Sequence, residues 1–290
     1  MNAPSYFRFS ERTGMASESF ELIQLKSGYT SLRLVSNRET FHPVIGPEAE
    51  ARSLHVDQQR VVDRSRGIDP FVIWDVGLGA AANAVAALEA LTEGSGTVEL
   101  HSFDHTLAPL RFACEHSEYL KYIQPYRMAI EELMHTGQVS LGRVRWTLHQ
   151  ADFRQSLEKP DLPAPHAIFY DPYSAISNPE MWTLEHFTKI RRVLRDDRPC
   201  LLTNYTRSTA VRSTWLLAGF HVGIGVGIGA KDQTTIASNQ LELLERPLTR
   251  DWLKQVAASQ NSNPLREAGS SYGPMSASDF ARLSQHPQFN

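Results

Sequence analysis

The chain has 290 residues, enough to bury a full core in one large domain or two small ones. Hydrophobic residues at 41 % and charged residues at 21 % exclude a largely disordered chain. A formal net charge of -3 excludes a general basic field of the kind that binds nucleic acid non-specifically, and leaves a local basic patch open.

The only cysteines are Cys114 and Cys200, far apart and without metal-type spacing, so they read as packing residues in a reducing compartment. The N-terminus lacks the charged-then-apolar pattern of a signal peptide. No apolar stretch approaches the ~20 residues that a membrane helix requires. A cytoplasmic protein without a membrane partner is expected.

Residues 1–19 are polar and aperiodic and read as a loose arm. Apolar alternation around Leu22–Leu25 and Leu32–Val35 flanks Lys26-Ser27-Gly28-Tyr29, which predicts a β-hairpin. A helix start is expected between Pro47 and Val61. Phe71-Val72-Ile73-Trp74 is a strand that runs into the turn Asp75-Val76-Gly77-Leu78-Gly79, and an Ala-rich helix follows to Leu91. Thr97–Phe103 is a second strand, and Pro109–Met134 reads as a long helical stretch. Val144–His149, Ala167–Tyr170 and Pro199–Tyr205 supply three more strands. Asn178-Pro179-Glu180 has the form of a helix start, with Asn as cap and Pro in the first turn. Phe187, Ile190 and Leu194 then recur at helical spacing. Ser208 is placed to cap a helix ending at Gly219. Phe220–Ile228 and Thr234–Ala237 form a strand pair joined through Gly229 and Ala230. From Pro247 the composition shifts to Ser, Pro, Gln and Asn, which reads as a partly ordered extension. Strands alternating with helices predict an α/β fold, a mostly parallel sheet covered on both faces. The expected division is residues 1–65 as arm and hairpin extension, 66–246 as the α/β domain and 247–290 as a C-terminal extension.

Acidic residues follow consecutive strands at Asp75, Asp104, Asp152 and Asp171. In open α/β sheets, ligands bind outside the carboxyl ends of the strands. Gly77 and Gly79 allow a ligand to approach the backbone, having no Cβ. Acids in these places suit a ligand with ribose hydroxyls, an exocyclic amine and a positive charge, and S-adenosylmethionine has all three. Gly77-x-Gly79-x-x-Ala82 also satisfies a loose dinucleotide fingerprint. Against that reading, Asp75 precedes the glycines, where it would repel a pyrophosphate, and Asp152 and Asp171 have no part in the fingerprint. For each acid taken singly, a helix cap or turn role stands beside the functional one.

A second constellation is Asp171-Pro172-Tyr173-Ser174-Ala175 with Asn178-Pro179-Glu180-Met181-Trp182. Methyl transfer to an amine needs the nitrogen lone pair in line with the departing sulfur. A carboxylate orients the N–H groups and offsets the charge that develops on nitrogen, which makes Asp171 the candidate catalytic residue. Tyr173 is suited to stack on a flat substrate or a cation. Trp182 reads as core.

This stretch resembles the MnmC-type methyltransferases, whose usual pattern here is Asp-Gly/Ala/Pro-Phe-Ser/Ala-Pro…Lys-Asn-Pro-x-x-Trp-Thr. The resemblance continues through Thr203-Asn204-Tyr205-Thr206, Ala210-Val211-Arg212 and Ala218-Gly219-Phe220-x-Val222. Asp75-Val76-Gly77-Leu78-Gly79 with Asn83 is similar to the family's cofactor loop. Glu39-Thr40-Phe41-His42 and Glu50-Ala51-Arg52-Ser53-Leu54-His55-Val56 are similar to its N-terminal region. The resemblance spans roughly residues 20–255.

It implies a Rossmann-like class I methyltransferase with a seven-stranded sheet, using S-adenosyl-L-methionine. The implied reaction is methylation of the aminomethyl group of a wobble 5-aminomethyl(-2-thio)uridine in tRNA. Carried over by position, Asp104 would hold the ribose hydroxyls, and Asp152 and Phe153 the adenine. Asp75, Gly77, Gly79 and Asn83 would form the loop at the methionine end. Asp171 would face the target amine, with Phe41, His42, Tyr173, Asn178 and Tyr205 around the substrate. No flavin-type oxidase segment is expected within these residues.

The chain departs from the family pattern at several points. Ala81 replaces the second glycine of the cofactor loop, Ala175 stands where Pro is usual, and Ile176-Ser177 replaces a Lys before the Asn. Ala230-Lys231-Asp232-Gln233 replaces a more basic run. These changes remove positive charge of the kind that RNA phosphates attract. A small-molecule amine is therefore the alternative acceptor. A catalytically silent cofactor- or nucleotide-binding protein, motivated by Ala81, is a third reading. The histidines show no His-Glu-x-x-His, and there is no Cys-x-x-Cys, so no metal is expected. His101, His105 and His149 read as packed or solvated. No Gly-x-Ser-x-Gly elbow occurs. Arg191, Arg192 and Arg195 form a small basic face, the first candidate for contact with RNA.

Overall fold

A computed structural model describes residues 7–8, 19–42, 45–229, 232–269 and 272–290. Most of the expected arm, Ala230 of the expected turn and the adjacent Lys231 lie outside the described residues. Among the described residues, eleven strands are formed: β1 (Phe7–Arg8), β2 (Phe20–Gln24), β3 (Thr30–Leu34), β4 (Phe71–Val76), β5 (Val98–Asp104), β6 (Gln138–Leu141), β7 (Val144–Gln150), β8 (Ala167–Tyr170), β9 (Leu201–Asn204), β10 (His221–Gly225) and β11 (Thr234–Ser238). β1–β3 make a small antiparallel sheet, and the other eight make one large sheet in the order β10-β11-β9-β8-β4-β5-β7-β6.

The middle of the large sheet is parallel, with β4 flanked by β8 and β5 and continued by β9 and β7. The chain first builds outward from β4 through β5 and β7, then returns to its other side for β8 and β9. The order therefore reverses beside β4, and that is where α/β sheets open a ligand crevice. All six residues of β4 are buried, as expected of a strand covered on both faces. Both ends of the sheet turn antiparallel, through β6 on one side and β10 and β11 on the other. The family resemblance implied seven strands; the eighth is β6, a short edge strand with Gln138 and Ser140 exposed.

Two hydrophobic layers sandwich the sheet. On one face, Phe71, Ile73, Leu100 and Trp146 pack with Leu88 and Leu91 of helix Ala82–Leu91, Leu110 of Ala108–Glu115 and Ile130 of Arg127–Thr136. The hairpin joins this layer through Phe20, Leu22, Leu32 and Leu34. On the other face, Val72, Trp74, Ile168 and Tyr170 pack with Phe187 and Ile190 of Leu184–Val193 and Trp215 of Thr209–Leu217.

The long helical stretch expected over 109–134 is broken into two helices, with Pro125 in a short 3-10 turn between them. Asn178 precedes only a 3-10 turn and makes no side-chain cap; Thr183 caps the following helix, accepting from the backbone N–H of His186 at 3.2 Å. Residues after Pro247 are more ordered than their polar composition suggests. Trp252, Leu253, Val256, Leu265, Leu283 and Phe289 are buried in the second layer. Gln288 closes the outer edge of β10: its Oε1 accepts from the N–H of Val222 at 2.7 Å, and its Nε2 donates to the Val222 and Leu248 carbonyls. Such an edge otherwise presents unpaired backbone groups.

Candidate active site

A cavity of about 930 Å³ opens at the carboxyl ends of the parallel strands, at the upper end of the size range for small-molecule sites. Its wall is made of the segments that leave those strands: Val76–Ala80 after β4, Phe103–His105 at the end of β5, Ala151–Arg154 after β7, Asp171–Ser174 after β8 and Tyr205 after β9. Segment 36–42, continuing from β3, covers one side with Asn37, Glu39, Phe41 and His42.

The glycine loop is shaped by close approach. Gly77 has φ +90°, and a Cβ there would lie 2.6 Å from the carbonyl oxygen of Asp171. Gly79 has φ +51°, and a Cβ there would lie 2.8 Å from the ring of Phe41. Ala81 holds the left-handed conformation, φ +62°, at the start of helix Ala82–Leu91. The turn is thus kept without the family's second glycine, at a cost of about 1–2 kcal/mol.

Asp104, Asp152 and Asp171 share this cavity. Asp104 Oδ2 accepts from the N–H of Gly79 at 3.0 Å, and Oδ1 from that of Thr106 at 3.1 Å. Burial pushes its carboxyl up, and these donated N–H groups oppose the shift. Asp152 caps the short helix Phe153–Ser156 through the N–H of Arg154 at 2.9 Å, and its carboxylate also receives the Arg154 guanidinium. That guanidinium holds its carboxyl below the usual range. Cap and cavity wall are therefore one and the same residue here.

Asp171 receives Asn83 Nδ2 on its Oδ2 at 3.0 Å, and His42 Nε2 lies 3.9 Å from the same oxygen. Burial lowers the His42 pKa, against the opposing charge of Glu50. Phe41 and Tyr173 meet edge to face at 5.6 Å between ring centres. Phe153, Asn178 and Tyr205 also line the cavity, and burial pushes the Tyr205 hydroxyl pKa up, with Asp171 and Glu39 adding to the shift. Asp75 does not line the cavity. It is buried within β4, where its Oδ2 accepts from Ser102 Oγ at 2.7 Å, and Ser102 Oγ in turn accepts from Trp146 Nε1. Burial pushes the Asp75 carboxyl up to about 8.

Glu39, Glu50 and Arg154 are cavity residues that were given no role on sequence grounds. Glu39 Oε1 accepts from the N–H of Ser174 at 2.8 Å and Oε2 from Ser177 Oγ at 2.5 Å, which fastens segment 36–42 to the Asp171 loop. Glu50 Oε1 accepts from the N–H of Ile45 at 2.9 Å. Glu39 and Glu50 fall within the stretches that carry the N-terminal resemblance, which was the one available signal for them. For Arg154 there was no such signal.

A family model described as S-adenosyl-L-methionine-dependent methyltransferase matches residues 115–240, a span that takes in the Asp152 and Asp171 walls of the cavity. The chain is 26 % identical over 205 residues to the tRNA 5-methylaminomethyl-2-thiouridine biosynthesis bifunctional protein MnmC of Azoarcus sp. (strain BH72). This is an S-adenosyl-L-methionine-dependent methyltransferase that is similar to the MnmC proteins. The Azoarcus alignment covers 67 % of this chain and 32 % of that protein. The MnmC protein of Cupriavidus necator is 27 % identical over 235 residues, covering 76 % of this chain and 35 % of its own. The methyltransferase chain thus spans about a third of the length of the curated relatives it matches. Its fold is that of MNMC2 from Aquifex aeolicus, with a TM-score of 0.69 at 22 % identity, covering 93 % of this chain and 85 % of that one.

The residues present fit the cofactor. Asn83 lines the cavity, and its buried Oδ1 has no hydrogen-bond partner among the described residues, an acceptor suited to an ammonium group. The Gly77–Gly79 loop leaves room that side chains would fill. Among the described residues, no group of three or more His, Cys, Asp or Glu is arranged to hold a metal ion, and no helix is long and apolar enough to cross a membrane.

Proposed function

We propose that this methyltransferase acts on a primary amine, the aminomethyl group of a wobble 5-aminomethyl(-2-thio)uridine in tRNA, in the cytoplasm. The catalytic unit in this reading is residues 66–246, with 1–65 completing the acceptor side and 247–290 bracing the sheet edge. The carrying observation is the placement of Asp171: a carboxylate on the cavity wall, tied to Asn83 and backed against the glycine loop.

Bound here, S-adenosylmethionine supplies an electrophilic methyl group on a sulfonium. Asp104 is assigned to the ribose hydroxyls, Asp152 and Phe153 to the adenine, and Gly77, Gly79 and Asn83 to the methionine end. Asp75 is assigned a supporting role through Ser102 and Trp146 in place of ligand contact. Asp171 orients the acceptor nitrogen and offsets the positive charge that it gains, an effect strengthened where water is excluded. Tyr173, Phe41, Asn178 and Tyr205 enclose a flat acceptor. The names of the relatives, tRNA-modifying proteins, support the uridine as acceptor.

A small amine is the second reading, and one surface observation favours it. Arg191 and Arg195, on the expected basic face, are engaged by Asp196 and Asp197. Ile176, 83 % exposed, and Ser177 stand where the family pattern carries a Lys before the Asn.

Asp171→Ala tests the role of the carboxylate, with methyl transfer and cofactor affinity measured separately. Turnover falls about 10²- to 10³-fold while cofactor affinity stays within a few-fold. Unchanged turnover removes Asp171 from the reaction.

A further inference from the structure

We propose that His42 and Asp171 act as paired acceptors that count the protons on the acceptor nitrogen and limit the enzyme to one methyl per amine. This rests on the reading of the acceptor as a primary amine.

His42 occupies an unusual position. It has φ +45°, a backbone conformation uncommon for residues other than glycine, and such positions gather at functional sites. The preceding residue is anchored twice: the N–H of Phe41 donates to the Leu32 carbonyl at 2.9 Å, and Ser31 Oγ donates to the Phe41 carbonyl. Held this way, the imidazole lines the cavity with its Nε2 3.9 Å from Asp171 Oδ2. The two side chains come from different elements, one from the extension after β3 and the other from the loop after β8. Burial lowers the His42 pKa and so favours the neutral imidazole. With its proton on Nδ1, Nε2 presents a lone pair and acts as an acceptor beside the carboxylate oxygen.

Two acceptors 3.9 Å apart are bridged by a single nitrogen that bonds each at about 2.9 Å. A neutral primary amine has two N–H groups and one lone pair. When Nε2 and Oδ2 each take one N–H, the lone pair is directed away from both, toward the methyl donor. The N–C bond then forms as the S–C bond breaks with its electron pair going to sulfur, and the product is a secondary ammonium. That ammonium leaves and loses one proton to solvent, giving a secondary amine with a single N–H. For a second transfer, the new methyl would have to take the place of one of the two N–H groups. It would then press against Nε2 or Oδ2 and forfeit the hydrogen bond to that acceptor.

The test uses tRNA from cells lacking the methylation step, with methyl donor in excess, and counts the methyl groups on the nucleoside by mass. Wild type adds one methyl and stops, however long the incubation. His42→Gly, which suits the left-handed backbone, adds a second methyl to at least a tenth of the product. His42→Gln, which returns an acceptor close to Nε2, restores the single product. A second measurement is independent of whether the variants fold: wild type given tRNA that already carries the methylaminomethyl group transfers nothing to it. Dimethylated product from wild type, or single methylation by an active His42→Gly variant, overturns the pairing while leaving the amine reading intact. Absence of any methyl transfer by wild type to the unmethylated amine removes the amine reading, and the pairing with it.

Discussion

Gly77 and Asp171 touch backbone to backbone: a Cβ at Gly77 would lie 2.6 Å from the Asp171 carbonyl oxygen and 2.8 Å from Pro172 Cα. The glycine turn after β4 and the turn that carries Asp171 are therefore packed as one unit. In the proposed reaction, in-line transfer depends on the relative placement of donor and acceptor, and this contact ties the two assigned turns together.

Gly77→Ala is expected to separate the two turns. The substitution is strained by φ +90° and by contact with backbone that has no freedom to rotate aside. Strain of about 1–3 kcal/mol corresponds to a loss of cofactor affinity of roughly ten- to a hundredfold. Titration calorimetry with S-adenosylmethionine reads it directly. An affinity within twofold of wild type would show that the turns tolerate separation.

Asp104 holds the same loop from the β5 side through the N–H of Gly79. Asp104→Ala removes that acceptor from a site where the N–H is partly buried, and also the proposed ribose contact. Cofactor affinity is expected to fall about tenfold or more, from the loss of one charge-assisted hydrogen bond alone. Circular dichroism should show an unchanged fold. Retained affinity would assign Asp104 to the turn only.

Glu39 fastens segment 36–42 to the acceptor loop across 135 positions of sequence. Glu39→Ala is expected to raise the KM for the acceptor about five- to tenfold, the value of one or two hydrogen bonds to a charged group, with cofactor affinity little changed. Equal losses for cofactor and acceptor would contradict a role confined to the acceptor side.

Asp75 gives a pH signature. Its carboxyl is held at about 8 in the fold by burial, while in an unfolded chain it ionises near 3.9. The folded state therefore binds the proton more tightly. Raising the pH from about 4 to 8 favours the unfolded chain and lowers stability. Asp75→Asn removes this dependence. The stability of the variant relative to wild type should rise between pH 5 and pH 8 in urea unfolding. A difference that stays constant with pH would mean that Asp75 is ionised in the fold.

Asp75 also shows where reading the sequence reached its limit. Judged by its apolar run, the central strand ends at Trp74, which places Asp75 in the ligand turn. β4 instead continues to Val76, and pleat alternation turns Asp75 to the same face as Phe71 and Ile73, beside Ser102. The parallel strands themselves were legible because strands covered on both faces must be apolar throughout. β6 was not, since an exposed edge strand of four residues leaves little apolar pattern. Cavity residues at strand ends could be found from local pattern alone. Glu39 and Glu50 reach the site through long-range packing of the extension, and no local pattern encodes that. The ordered C-terminal segment was obscured by its polar composition, although Trp252, Leu253 and Val256 recur at helical spacing.

The central claim is methyl transfer to an aminomethyl-uridine, and one measurement meets it directly. The full chain is incubated with S-adenosylmethionine carrying a labelled methyl group and with tRNA from cells that make the aminomethyl but not the methylaminomethyl nucleoside. The predicted result is label recovered in 5-methylaminomethyluridine or its 2-thio form. Label that appears on free small amines while the tRNA stays unlabelled would contradict the claim.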